Sequence, residues 1–341
     1  MGRRVVAILN PVSGRRDMLP VVRQVGRALE SRGARFETLV SNGAGHASRL
    51  AAQLNNDVDV VLAVGGDGTV REVVDGVAGR SSGSGVGQSR ASDEPLTPPI
   101  VILGTGTENL IATELGMPLT PELVVEAVLS DKSIFCDVGV VNGRSFLAVT
   151  GVGFDAECVA RLALVRRGHI THGDYFGPIW QTFWKHRFPR IRVVVDDCCV
   201  FDDRGFAMVG VIGRYAAGLR ILSDARYDDG LLDVCAFRCS SRIGLLRHAW
   251  RILWRRHTAC RDVVYRQGRL VSITSPERVQ VEVDGDPGGY LPAQCSVIPR
   301  AVRFLAPRIG STQNASAGRC PKSTHSCSGG GILAAFASSH P

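Results

Sequence analysis

The stretch of residues 60–77, VVLAVGGDGTVREVVDGV, constrains the fold more than any other part of the chain. An apolar run of strand length stops at Gly65 and Gly66, and Asp67, Gly68 and Thr69 follow. Val70, Val73, Val74 and Val77 then recur at the spacing of one helix face. A strand, a turn poor in side chains and a helix start make an anion site. The first helical N–H groups have no partner inside the helix, and the helix dipole adds partial positive charge there. Glycine lets a phosphate approach the backbone. Gly65, Gly66 and Gly68 therefore suit a polyphosphate, and Asp67 suits a role towards its metal or the transferring group.

The layout recurs. In IVILGTGTENLIATEL, Gly104, Thr105, Gly106 and Thr107 lie between a strand and a helix, with Thr107 as the expected N-cap and Glu108 in the first turn. NPVSGRR, with Asn10, Ser13 and Gly14, also follows a strand. Around these turns the chain alternates. RRVVAILN reads as a strand, 17–32 as a helix, RFETLV as a strand, GHASRLAAQL as a helix and IVIL as a strand. The segment TENLIATELG reads as a helix ending at Gly116, and TPELVVEAVLS as another with Thr120 as N-cap and Pro121 at its first position. Alternation with continuously apolar strands predicts a parallel, doubly wound sheet, in which neighbouring turns aim at one crevice. Neither Gly-x-Gly-x-x-Gly nor the Gly-Lys-Ser/Thr phosphate loop occurs, which argues against an ordinary dehydrogenase or P-loop enzyme. Residues 79–99, rich in Gly and Ser, read as a mobile surface loop.

From about residue 133 the pattern becomes mainly antiparallel β. Asn142-Gly143 marks a hairpin, and RIRVVVDD, FAMVGVI, LLDVCAF, RLVSITS, RVQVEVDG and CSVIP read as short strands. Two helices are expected, at about 173–185 and 241–256. Three segments result: 1–132, 133–308, and a polar, small-residue tail at 309–341 expected to be disordered. No run of 18 apolar residues occurs, and the start has no signal-peptide cleavage site, so the expected location is the cytoplasm. The ten cysteines form no Cys-x-x-Cys pair and read as reduced thiols.

NPVSG, GGDGT, GTENLIATELG, GVGFDAE, DDGLLDV and VEVDGDP occur in that order. Together they resemble the diacylglycerol kinase catalytic domain family, most of all its bacterial lipid kinases. The resemblance spans roughly residues 3–306. It implies an NAD kinase-like α/β domain, a β-sandwich domain that takes the lipid, and an ATP cleft between them. It implies Mg²⁺-dependent transfer of the γ-phosphate of ATP to a lipid hydroxyl. Carried over, the nucleotide site takes Asn10, Ser13, Ser41, Gly65, Gly66, Asp67, Gly68, Thr69, Thr107, Glu108 and Asn109. DDGLLDV resembles a structural Mg²⁺ turn, with Asp229 as side-chain ligand and the carbonyls of Arg226 and Leu231 helping. Relatives commonly have proline where Gly104 stands, so a looser turn is expected here.

Asp67 is then the metal-linked acid, and Asp286 stands where the family has a glutamate that resembles a general base. Asp is one methylene shorter, a loss of about 1.5 Å of reach, and a misplacement of about 1 Å can lower a rate about a hundredfold. Either the loop has moved, Asp284 shares the role, or activity is reduced. Two rivals follow: an NAD kinase, which shares GGDGT, and a catalytically weak nucleotide- or lipid-binding regulator.

The net charge of +8 comes almost wholly from arginine and suits nucleic acid, anionic membrane or phosphorylated substrate. No nucleic-acid recognition module is interleaved with it. Residues 242–256 hold Arg242, Arg247, Arg251, Arg255 and Arg256 beside Trp250 and Trp254, and read as a basic amphipathic helix. A second aromatic segment holds Tyr175, Phe176, Ile179, Trp180, Phe183 and Trp184. With the resemblance, these predict a lipid substrate met at a membrane surface, peripheral attachment to an anionic bilayer, and no nucleic-acid partner.

Overall fold

The computed structural model describes residues 2–308 apart from 15, 83–97, 118–119 and 166–175. The expected tail at 309–341 and most of the expected loop at 79–99 lie outside the described residues.

Four parallel strands open the fold: β1 (Arg4–Leu9), β2 (Arg35–Val40), β3 (Val60–Gly65) and β4 (Ile100–Gly104). Their order is β2-β1-β3-β4. β1, β3 and β4 are almost wholly apolar because both their faces are covered. The two-residue period of a strand sorts the side chains. Val5, Ala7, Leu9, Leu62, Val64 and Leu103 face α1 (Leu19–Glu30) and α5 (Pro121–Leu129), packing on Val22, Val25, Leu29, Val124 and Val128. Val6, Ile8, Val61, Ala63 and Ile102 face α2 (His46–Ala52), α3 (Asp67–Ser82) and α4 (Leu110–Glu114). The sheet is doubly wound. The chain leaves β1 for β2 on one side and returns to β3 on the other, so the crevice of such a fold falls at the carboxyl ends of β1 and β3.

The remaining strands are β5 (Ser133–Val141), β6 (Arg144–Phe146), β7 (Val149–Val152), β8 (Arg190–Val195), β9 (Cys198–Gly210), β10 (Leu232–Arg238), β11 (Val263–Gly268), β12 (Leu270–Thr274), β13 (Gln280–Val283), β14 (Asp286–Tyr290) and β15 (Ala293–Leu305). They pair antiparallel around a core that includes Phe146, Ile191, Val193, Phe237, Ile273 and Val281. Long β9 serves two layers: Cys198–Arg204 pair with β8, and Gly205–Gly210 with β10. β15 carries the chain back, and Phe304 pairs in parallel with Ile100 of β4.

Several expectations change. α3 continues through Ser82, four residues into the expected loop. A helix α6 (Phe154–Val165) was not anticipated, so the second half has three helices among the described residues, with α7 (Phe176–Lys185) and α8 (Arg242–Leu253). Residues 154–156 run on from the apolar strand β7 and conceal the change of period. CCVFDDRG, too charged for a strand by composition, forms half of β9: Asp202 and Asp203 sit outward and pair with Arg190 at 2.8 Å and Arg238 at 2.7 Å. β11 also lacked a clear alternating pattern.

Candidate functional site: a glycine cradle facing an acidic turn

Three turns meet at the carboxyl ends of β1, β3 and β4. Thr105 donates its N–H to the Gly65 carbonyl at 2.9 Å. Gly66 and Gly106 touch backbone to backbone: a Cβ on Gly106 would lie 2.8 Å from the Gly66 Cα. Gly14 has φ +87°, and a side chain there would meet the Thr105 carbonyl. Thr105 Oγ1 donates to Ser13 Oγ at 3.1 Å, and Asn10 Nδ2 donates to Thr69 Oγ1 at 3.0 Å. Ser41 is buried after β2, its N–H held by the Leu9 carbonyl at 2.8 Å. A Cβ on Gly68, in the first turn of α3, would find nothing within 4 Å. The turns are thus laced together behind, and the start of a 16-residue helix opens in front.

Asp67 is a brace between two of these turns. Its Oδ2 accepts the Leu110 N–H at 3.0 Å and its Oδ1 the Ile111 N–H at 3.1 Å. It therefore supplies the N-terminal cap that Thr107 was expected to give α4. Burial pushes its carboxyl up to about 6, the two amides pull it down, and Asp284 adds repulsion. Helix α4 starts at Leu110 because Asn109 is left-handed at φ +47°. The Asn109 side chain is spent on the turn itself: Oδ1 accepts the Gly106 N–H and Nδ2 donates to the Gly106 carbonyl, both at 2.8 Å. Thr107 is exposed and Glu108 half-buried on the same loop.

The second component is the turn joining β13 to β14. Asp284 and Gly285 both have positive φ, 49° and 77°. The Asp284 carboxylate accepts the N–H groups of Leu147, Ala148 and Val149 at 2.8, 2.9 and 3.0 Å. Burial pushes its pKa up, against Arg71 and those amides. Glu282 Oε2 accepts the Gly285 N–H at 2.8 Å. Asp286 Oδ2 lies 2.7 Å from Arg71 Nη2 and 3.4 Å from Arg144 Nη2. Arg71 also donates to the Val283 carbonyl at 3.0 Å. Burial alone would lower the Arg71 pKa, but Asp284 and Asp286 outweigh it and raise it. Arg144 is lowered by burial and by Arg71. Asp75, raised by burial, accepts from the Ser145 hydroxyl.

Helix α3 is the connection. It begins in the cradle at Asp67, and its next turn delivers Arg71 to Asp286. Arg71, Asp75, Arg144 and Glu282 escaped the sequence reading. Asp67, Arg71 and Asp75, four residues apart on the same helical face, were the available signal.

Behind the acidic turn, half-buried Asp155 and buried Glu282 form a carboxyl pair. Glu282 Oε1 and Asp155 Oδ2 have no hydrogen-bond partner among the described residues. Both lie about 3 Å from the position a Cβ on Gly151 would take. Burial pushes Asp155 up to about 6, with the Tyr215 hydroxyl bond opposing, and holds Glu282 well above the usual carboxylate range, helped by Asp155. Burial and the repulsion from Asp155 favour the protonated form of Glu282.

The turn holding Arg226, Asp229 and Leu231 belongs to a different junction. Asp229 Oδ1 accepts the Leu231 N–H at 3.0 Å, and Arg226 pairs with Asp228 at 3.2 Å. Asp137 of β5 secures this turn through the Gly230 N–H at 2.7 Å. Burial raises the pKa of Asp137, and Asp229 and Asp228 raise it further.

Comparison with known proteins agrees with this architecture. The diacylglycerol kinase catalytic domain model matches residues 4–141, and the YegS C-terminal NAD kinase beta sandwich-like domain model matches 148–306. A diacylglycerol kinase of Mycobacterium tuberculosis (strain CDC 1551 / Oshkosh) is 29% identical over 315 residues, covering 90% of this chain and 96% of the relative. One from Bacillus subtilis (strain 168) is 24% identical, covering 91% and 99%. A solved Bacillus anthracis str. Sterne structure, described as a diacylglycerol kinase, shares the fold with a TM-score of 0.64 at 17% identity, covering 90% and 97%. These matches place the chain among the lipid kinases. It belongs to the diacylglycerol kinase catalytic domain family.

Proposed function

We propose that the protein transfers the γ-phosphate of ATP to the hydroxyl of diacylglycerol or a related lipid. The supporting observation is the Arg71 bridge: its guanidinium bonds Asp286 and the Val283 carbonyl from the second turn of the helix that opens in the glycine cradle. Phosphates bind at Gly65, Gly66, Gly68 and Thr69, at the positive end of α3. Asn10 and Ser13 fix the turns that shape this cradle. The lipid oxygen attacks the γ-phosphorus as the bond to the β-phosphate oxygen breaks, and ADP leaves. The hydroxyl proton passes to the Asp286 carboxylate, whose position Arg71 and Arg144 set. Asp67 positions the second turn rather than touching the reacting atoms.

Mg²⁺ bound with the nucleotide would neutralise phosphate charge. Among the described residues no group of three or more acidic, histidine or cysteine side chains gathers at Asp229; the hard oxygen donors that would hold Mg²⁺ there are the Asp229 carboxylate and the carbonyls of Arg226 and Leu231.

The test offers γ-labelled ATP with diacylglycerol, a total lipid extract or NAD. Label in a lipid product is expected. Label in NAD, or in no lipid at all, overturns the proposal.

A further inference from the structure

Helices α7 and α8 wear their apolar stripes on the outside. On α7, Pro178 and Thr182 are buried while Phe176, Ile179, Trp180 and Trp184 are exposed. On α8, Leu245, His248 and Ile252 face the core, whereas Ile243, Leu246, Trp250, Leu253 and Trp254 face out, with Ile243 80% and Trp250 62% exposed. A surface helix normally turns its apolar stripe inward.

The two stripes are neighbours. Arg242 at the start of α8 donates to the carbonyls of Phe183 and Trp184 at the end of α7, and its guanidinium lies 5.4 Å from the Trp184 ring centre. Trp180 packs against Phe176, Phe183 and Trp184, and Trp250 against Trp254. All four tryptophans of the chain sit on this surface. No Asp or Glu occurs in 175–195 or 239–261. Of the five arginines, three are engaged within the protein: Arg242 on α7, and Arg247 and Arg251 on Asp262. The side chains of Arg255 and Arg256, both exposed at the end of α8, have no partner among the described residues.

We propose that α7 and α8 form a platform that lies on an anionic bilayer. Indole, leucine and isoleucine side chains enter the headgroup boundary, and Arg255 and Arg256 meet the lipid phosphates. Tryptophan with arginine is the composition of a membrane interface. A second copy is a poorer occupant. A two-fold contact would set the Arg255 and Arg256 end of this surface against itself, so like charges would face each other. The platform rests on the lipid-kinase reading only for its purpose, because vesicle binding is measured without ATP.

The experiment uses the full chain with vesicles of phosphatidylcholine, with and without phosphatidylglycerol, and reads sedimentation and intrinsic tryptophan fluorescence. Anionic vesicles should pull the protein down, shift emission to the blue, and quench it when the acyl chains are brominated. Trp180→Ser with Trp250→Ser and Trp254→Ser should lower vesicle affinity about a hundredfold. Arg255→Ser with Arg256→Ser should lower it at least tenfold for anionic vesicles at low salt, at about fivefold per arginine. Thermal unfolding midpoints like that of the parent show that the variants fold. An unshifted emission spectrum with anionic vesicles overturns the platform. So does a concentration-dependent dimer that the tryptophan substitutions dissolve, without vesicle binding. A protein that binds vesicles yet phosphorylates no lipid keeps the platform and removes the kinase reading.

Discussion

The cradle and the acidic turn reach the same place by opposite means. The cradle is made of backbone: glycines that pack Cα to Cα and turns closed by neighbours such as Asn109 on Gly106. The acidic turn is made of side chains held from far away in sequence. Asp284 is fixed by amides 135–137 residues distant, and Asp286 by Arg71, 215 residues distant. A backbone site tolerates loss of one side chain poorly only where the new group fills the ligand's space. A side-chain site fails when a single buried charge loses its partners.

The largest effect should follow from Asp284→Ala. It strands three buried amides and removes a carboxylate facing Arg71, a loss of about 3–5 kcal/mol in urea unfolding together with phosphotransfer. A loss below about 1 kcal/mol would mean that the turn does not depend on this carboxylate. Next is the carboxyl pair. Asp155 titrates at about 6 in the fold against 3.8 in a free chain, so the fold holds the proton more tightly. The stability this gives is complete below 3.8 and drains away as pH rises to about 6. Asp155→Asn, neutral throughout, should therefore be more stable than the parent at pH 7.5 by about 2–3 kcal/mol, with the gap closing by pH 4. A constant gap across that range contradicts the assignment. Smallest in folding terms is Gly68→Ala. Its Cβ meets nothing, and alanine favours a helix by up to about 1 kcal/mol, so the melting temperature should hold or rise. ATP affinity should still fall about tenfold, because the methyl group occupies the phosphate's place. Unchanged affinity would put the nucleotide elsewhere.

The same contrast explains what the sequence revealed. Continuous apolar runs ending in glycine, or in Asn10-Pro11 for β1, are local signals, and β1, β3, β4 and their turns were legible from them. The Asn142-Gly143 hairpin was legible for the same reason, with both residues at positive φ. Long-range partners were not. Nothing near Thr107 announces that Asp67 caps α4, because the capping carboxylate arrives from another turn 43 residues back. Residues 242–256 read as a basic face towards lipid, yet Asp262 engages Arg247 and Arg251, and the outward stripe is tryptophan, leucine and isoleucine.

Division of labour between the two components is most directly tested by Asp286→Asn, with ATP affinity read by calorimetry beside label transfer from γ-labelled ATP to diacylglycerol. The account predicts an ATP dissociation constant within about twofold of the parent and label transfer reduced to background. Transfer that persists at the parental rate, or ATP binding that vanishes together with it, would contradict a cradle that binds and an acidic turn that reacts.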